Sequence, residues 1–205
     1  MLAQRLRRFP AARQYRLPAG SVLFHQHEFT QEVIAVDTGL SKVTWRMAGT
    51  GQPFIFLAKP GLILAQTATS WDAATPISAS AITECSVYKV PVAAYIDILV
   101  RDEELLWCTV VQQQETIGEL LALLSERRLL PAAERFRKVI RWFLLHCTSS
   151  LGPPSLPETL LDRDIAQSIG VSASEISRIK KRLIAEGSLA RSGKSVVIVR
   201  PDLFC

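Results

Sequence analysis

The stretch D-R-D-I-A-Q-S-I-G-V-S-A-S-E-I-S-R-I-K-K-R-L, residues 162–183, constrains the fold more than any other part of the chain. Two short helices joined by a tight turn need a small residue at their contact, a glycine between them and apolar residues toward a core. Ala166 supplies the small contact, and Gly170 can take the left-handed conformation that ends the first helix. Ile165, Ile169, Val171, Ile176, Ile179 and Leu183 supply the buried positions. Ser172 is then the expected N-cap of the second helix, with Glu175 three residues later closing a capping box. All these features agree on one register, that of a helix-turn-helix.

That register fixes what the second helix turns outward. With Ile176, Ile179 and Leu183 inside, Ala173, Ser174, Ser177, Arg178 and Lys181 face out near the helix N-terminus. This is the part of such a helix that reaches base edges in a major groove. Arg178 is the best candidate for direct readout, because a guanidinium suits the O6/N7 edge of guanine. Ser172, Ser174 and Ser177 are candidates for bonds to bases or phosphates. Lys180, Lys181 and Arg182 are expected to neutralise phosphates. The segment G-S-L-A-R-S-G-K-S-V-V-I-V (187–199) follows as a hairpin about Ser192-Gly193-Lys194, which makes it a wing. Its tip residues Arg191 and Lys194 would lie near adjacent phosphates.

Charge supports this placement. The chain of 205 residues carries a net +5, yet residues 1–125 hold 10 Lys+Arg against 11 Asp+Glu and net −1. Residues 126–205 hold the other 14 against 8 and net +6. A basic C-terminal half fits a polyanionic partner such as nucleic acid.

The first hundred residues read as short strands separated by Pro and Gly turns: 16–24, 32–46, 53–58, 76–82 and 85–90. Within 32–46 the pattern turns about Asp37-Thr38-Gly39, and Leu40 to Arg46 alternates with period two. A small antiparallel β-barrel or jelly roll is expected, with no useful helical periodicity before about residue 92. From Asp102 to Arg127 there is no Pro and one Gly, Gly118. Leu106, Val110, Gln113, Ile117, Leu120 and Leu124 follow a 4-3-4-3-4 spacing, a heptad seam with one polar residue. A dimer seam explains this pattern better than packing on the chain's own domain. Leu129-Leu130-Pro131 breaks it and suggests a hinge. A second helix at 132–147 puts Phe136, Val139, Ile140 and Phe143 on one face, with Arg135, Lys138 and Arg141 opposite. The class is therefore α+β. Residues 1–100 form the barrel, 101–128 the dimerisation helix and 129–205 the winged helix-turn-helix.

Composition removes other classes. At 48% hydrophobic and 21% charged, the chain has material for a folded core. No run reaches the ~18 apolar residues of a membrane span, and the basic N-terminus is followed by no apolar signal region. Cys85, Cys108, Cys147 and Cys205 lack C-x-x-C spacing, so a zinc finger and a disulfide framework both fit poorly and a reducing cytoplasm fits best. No G-x-S-x-G elbow, phosphate-binding loop, H-E-x-x-H or carboxylate pair marks an enzyme.

From end to end the order of parts resembles the Crp–Fnr family of bacterial transcription regulators, most specifically in G-V-S-A-S-E-I-S-R-I-K-K-R-L-I-A-E-G-S-L and the wing after it. The resemblance implies a cyclic-nucleotide-binding-like sensor, a homodimer on an inverted-repeat operator in double-stranded DNA, and RNA polymerase as a candidate partner. Two departures stand out. Family recognition helices commonly begin Ser-Arg-Glu-Thr; here Ala173 and Ser174 occupy the Arg and Glu positions and Glu175 stands for Thr, while Ser177 and Arg178 keep the family's Ser-Arg. Members that bind a cyclic nucleotide hold the ribose with a Glu after a Gly and the phosphate with an Arg before a Ser. Those positions fall near Gly61-Leu62 and Thr75-Pro76, in a stretch without any basic residue, so cyclic AMP is not expected as effector.

Other ligands are weaker readings. No cysteine precedes Cys85, which excludes the N-terminal iron–sulfur sensor of this family. His25 and His27, two apart on a strand or its turn, are more ordinary as structural residues than as metal or haem ligands. Cys85 and Cys108 read as small apolar residues before redox sensors. Phe54, Phe56, Leu64 and Trp71 read as core before ligand pocket. No cofactor is expected, and the effector stays open. The alternative is a metal- or ligand-binding cupin-like barrel whose C-terminal domain mediates protein contacts.

Overall fold

The computed structural model describes residues 2–49, 53–64, 74–146 and 153–204. It divides into two compact units, residues 1–120 and 121–205. The class is α+β, as expected.

The first unit is built on two four-stranded antiparallel sheets. One runs β1 (Arg13–Leu17), β8 (Cys85–Pro91), β3 (Glu32–Thr38), β6 (Ile63–Leu64). The other runs β2 (Val22–Phe24), β7 (Ser78–Ala81), β4 (Ser41–Trp45), β5 (Phe54–Ala58). Between them lies a core drawn from both sheets, including Phe24, Ile34, Val36, Phe56, Leu64, Ala79 and Val87. Gly39, φ 87°, lets the chain cross from β3 in one sheet to β4 in the other. A Cβ there would stand 2.2 Å from the Glu84 carbonyl oxygen, so only glycine fits.

The β3 sheet is buried on both faces. Val33, Ala35, Tyr88 and Val90 turn away from the sandwich and pack with Ala3 and Leu6 of α1 (Leu2–Leu6), Tyr95 and Ile98 of α2 (Val92–Arg101), and Leu105. A strand covered on both sides reads as a continuous apolar run rather than an alternation, which is what V-I-A-V at 33–36 shows. Asp102 separates α2 from α3 (Glu103–Leu129) and serves both: its N–H donates to Ile98 O at 2.8 Å and its carboxylate accepts from Leu105 N at 2.8 Å. α1 lies ahead of residue 92, where no helix is expected from the sequence; its five residues are too few to show a helical period.

α3 runs 27 residues, about 40 Å at about 1.5 Å per residue, and the boundary between the two units falls inside it. Leu105 and Thr109 are buried, and Gln112 binds both Gly61 O and Ile63 N of the sandwich. The opposite stripe is uncovered: Leu106, Val110, Ile117 and Leu124 are each 40–50% exposed, and Trp107 and Leu121 beside them more so.

The second unit holds the end of α3, α4 (Ala132–His146), α5 (Asp162–Ile169), α6 (Ala173–Ala185) and a three-stranded sheet, order β10 (Leu189–Ser192), β11 (Ser195–Ile198), β9 (Ser155–Leu156). Phe136, Val139, Ile140 and Phe143 of α4 are all buried, the face expected for that helix. Ile165, Ile169, Ile176, Ile179 and Leu183 are buried too, and Val171 is half-buried. Each full burial of such a side chain contributes about 1.5–3 kcal/mol. Together they make the three-helix core on which α6 rests.

Candidate nucleic-acid interface

The turn between α5 and α6 is set by backbone chemistry. Gly170 closes α5 at φ 71°, ψ 49°, and its N–H donates to Ala166 O, with Val171 N donating to the same oxygen at 2.9 Å. Ser172, extended at φ −84°, caps α6: its hydroxyl accepts Glu175 N at 3.2 Å and lies 2.9 Å from Ser174 Oγ. The serine half of the expected capping box is thus in place. At α5, where Leu161 has no side-chain acceptor, the buried Asp164 carboxylate accepts Leu161 N instead.

From this scaffold α6 projects an uncovered face. Ala173, Ser174, Arg178 and Lys181 are turned away from the core and Ser177 is half-buried, while Ile176, Ile179 and Leu183 anchor the other side. Among the described residues, no ion pair involves Arg178 or Lys181. Lys180, expected as a phosphate contact, is bonded within the helix pair in the single chain. Its side chain is 13% exposed and its ammonium pairs with Asp162, joining α6 to the start of α5. Arg182 is exposed but lies 3.5 Å from Glu186 one turn on, a solvated pair worth little. Arg178 and Lys181 therefore point outward, while Lys180 between them holds the helix pair together.

The wing forms as read. Leu189↔Ile198, Ala190↔Val197, Arg191↔Val196 and Ser192↔Ser195 pair antiparallel, leaving Gly193-Lys194 as a two-residue turn. Gly193, at φ 60°, supplies the left-handed residue that tight hairpin turns use. Arg191 and Lys194 are both exposed at this tip. β9, which sequence reasoning missed, adds a third strand through Val196↔Leu156 and fixes the hairpin at its base. Two-residue strands carry no periodicity from which to find them.

Three cations that the composition counted toward a basic surface are engaged within the unit. Arg127 Nη2 donates to Gln167 O and Ser168 O, both at 2.9 Å, and Arg135 Nη1 donates to Ile169 O. Lys138 pairs with Glu126. Burial, with Arg135 close by as a second cause, pulls the Arg127 guanidinium below its ordinary range.

In the sandwich, the positions given to ligand contacts by resemblance are occupied by structural bonds. Thr75 is fully buried, and its hydroxyl donates to His25 O at 2.7 Å, with Glu28 O 3.2 Å away. Gly61 N–H donates to Val36 O at 2.7 Å. His25 and His27 lie in the turn after β2 rather than on a strand, with His27 at φ 66°. Among the described residues no group of three His, Cys, Asp or Glu is placed to hold a metal ion. Phe56 and Leu64 belong to the sandwich core with Phe54 packed against it; Trp71 and most of the stretch around it, Cys147 and Cys205 lie outside the described residues. Cys85 is buried, and desolvation pushes its thiol up to about 11. Among the described residues no helix is long and apolar enough to cross a membrane.

No protein-family model matches the chain, and no curated protein matches it significantly in sequence. Solved structures do match. TTHA1359, a CRP/FNR-family transcriptional regulator from Thermus thermophilus, is 13% identical with a TM-score of 0.74 over 94% of this chain and 96% of that one. CLP of Xanthomonas campestris, a c-di-GMP responsive global regulator, is 16% identical with a TM-score of 0.73 over 92% and 94%. FixK2 of Bradyrhizobium japonicum is 21% identical with a TM-score of 0.66 over 94% and 95%. A likeness that spans both units at such low identity is a likeness of fold: the chain has the fold of the CRP/FNR transcriptional regulators.

Proposed function

We propose that this protein is a homodimeric, sequence-specific DNA-binding transcription regulator of Crp–Fnr type, not an enzyme. The observation that carries the reading is the capped α6, anchored by Ile176, Ile179 and Leu183, with Ala173, Ser174, Arg178 and Lys181 turned outward. In this reading residues 1–100 are the sensor-like barrel, 101–128 the dimerisation helix and 129–205 the DNA-binding part. Leu106, Val110, Gln113, Ile117, Leu120 and Leu124 pair across a two-fold axis, which accounts for the exposure of Leu106, Val110, Ile117 and Leu124 in the single chain; Leu120 is half-buried there and also packs against the sandwich core. The two α6 helices then enter successive major grooves about 34 Å apart on an inverted repeat.

Arg178 reads a base edge in this scheme, and Ser172, Ser174 and Ser177 add bonds to bases or phosphates. Lys181, Arg182, Arg191 and Lys194 neutralise phosphates. Lys180 contributes through the helix pair rather than through the backbone. Of the solved neighbours named above, TTHA1359 is a transcriptional regulator and CLP a global regulator, which supports the same class. The sandwich works without the usual cyclic-nucleotide contacts, since Thr75 holds the 25–28 turn and no Arg stands beside it in sequence. A cytoplasmic location follows from a DNA partner.

The test is titration of duplex DNA with purified protein across a salt series. A regulator gives a binding constant that falls steeply with salt, by a slope of about −0.9 per phosphate neutralised, and a specific loss on Arg178→Ala. Salt-insensitive binding that ignores Arg178→Ala returns the barrel to first place and makes the C-terminal unit a protein-contact module.

A further inference from the structure

The carboxyl end of α5 is satisfied in an unusual way. A helix leaves its last four carbonyls without partners inside the helix, and the usual remedy is water or a cap. Here Ser168 Oγ donates to Ile165 O at 2.8 Å, Gly170 and Val171 N–H groups serve Ala166 O, and the remaining three oxygens go to two guanidiniums. Arg127 takes Gln167 O and Ser168 O; Arg135 takes Ile169 O. Positive charge at a helix carboxyl end is favoured by the macrodipole, and burial strengthens it.

Arg127 reaches this clamp from the last turns of α3. The seam on α3 runs Leu106, Val110, Gln113, Ile117, Leu120, Leu124, alternating steps of four and three. The next position in that series is Arg127. The stripe, apolar over five turns except at Gln113, thus ends in a cation, and that cation is bonded to α5. Leu124 and Arg127 lie in the same compact unit as α4, α5 and α6. A Cβ added to Gly170 would stand 3.1 Å from Arg127 Cδ, so the guanidinium stem lies directly on the turn between α5 and α6. Lys138–Glu126 ties α4 to the same last turns of α3. The Leu129-Leu130-Pro131 break is therefore bridged by side chains rather than left as an open joint.

We propose that Arg127, backed by Arg135, is a positioning residue that sets the aim of the α5–α6 pair relative to the end of the α3 seam. This rests on the DNA-binding reading above. Arg127 touches no DNA; it fixes the direction in which the α5–α6 pair leaves the last turns of α3, and in the proposed dimer this bears on the spacing of half-sites that two copies can grip at once.

The experiment uses the full chain and duplexes carrying the motif it enriches from a random pool, with the spacer between half-sites lengthened or shortened by one and two base pairs, and a duplex with one half-site. Each base pair turns a half-site by about a tenth of a helical turn, so a rigid aim gives a sharp spacing optimum. Arg127→Met keeps the stem on Gly170 and removes the donors. It is expected to lose at least about tenfold of the preference for the native spacing while binding the single half-site within about twofold of the parent. Arg127→Lys, which keeps charge and donors, is expected to restore most of the preference. A Met variant with the parent's spacing profile overturns the proposal. So does one that loses half-site and full-site binding alike, since Arg127 is then only part of the fold. A parent that binds no DNA fails at the first step and takes the DNA-binding reading down with it.

Discussion

α3 and α6 each leave one face uncovered, and the two faces are chemical opposites. Along the seam side of α3 the exposed residues include Leu106, Val110, Ile117, Leu121 and Leu124, with Gln113 as the polar exception. Along α6 they are Ala173, Ser174, Arg178 and Lys181. An apolar stripe gains free energy only by leaving water, which a second copy in register provides. A polar and cationic face would lose hydration against such a surface and gains instead from a polyanion that brings its own acceptors and releases counterions. In the proposed function the same exposure serves two kinds of partner, a copy of the chain at α3 and a duplex at α6.

The largest effect is expected from breaking the first face. Ile117→Asp with Leu124→Asp places like charges in the seam and should leave a monomer by sedimentation. Two linked half-site grips then become one, and affinity for the full site should fall about 10²–10⁴-fold, the loss of effective concentration rather than of any DNA contact. A variant that stays dimeric breaks the contrast at its apolar end. Next in size, Arg178→Ala should cost about 1–3 kcal/mol on the preferred site and relax discrimination at one base position. An equal loss on every sequence would demote Arg178 to a phosphate contact.

Gly170→Ala tests the scaffold behind the second face. It forces a side chain into the left-handed region, at about 1–2 kcal/mol, and crowds Arg127 as well, so urea unfolding should shift while the sandwich is unchanged. A finer comparison lies within α6 itself. Lys181→Ala should lower the salt slope of DNA binding by about one, whereas Lys180→Ala, already paired with Asp162, should leave the slope alone and reduce stability modestly. Equal slopes for both would mean that the Lys180 pair opens on DNA. Smallest of all, Cys85 should resist maleimide at pH 8 in the native protein and react on unfolding, because a buried thiol raised to about 11 holds almost no thiolate there.

What could be read in the sequence followed how local the cause is. Gly170, Ser172 and the isoleucines of α5 and α6 act over three or four residues, so spacing alone placed them. The apolar stripe of α3 was legible for the same reason. By contrast α1, α2 and the covering of the β3 sheet depend on elements far apart in the chain; V-I-A-V at 33–36 signals two buried faces without saying what covers the second. Charge shows the clearest limit. Arg127, Arg135, Lys138 and Lys180 raised the basic count of the C-terminal half, yet each is bonded inside it. Their partners lie 12 to 41 residues away, and net charge carries no record of that.

In the proposed function two α6 helices related by the α3 seam read DNA together. Selection of bound duplexes from a random pool by the purified, ligand-free protein at near-physiological salt tests it most directly. The expected result is an inverted repeat whose half-site centres lie about one helical turn, roughly 10–10.5 base pairs, apart. A pool without enrichment, or a motif lacking two-fold symmetry, would contradict it.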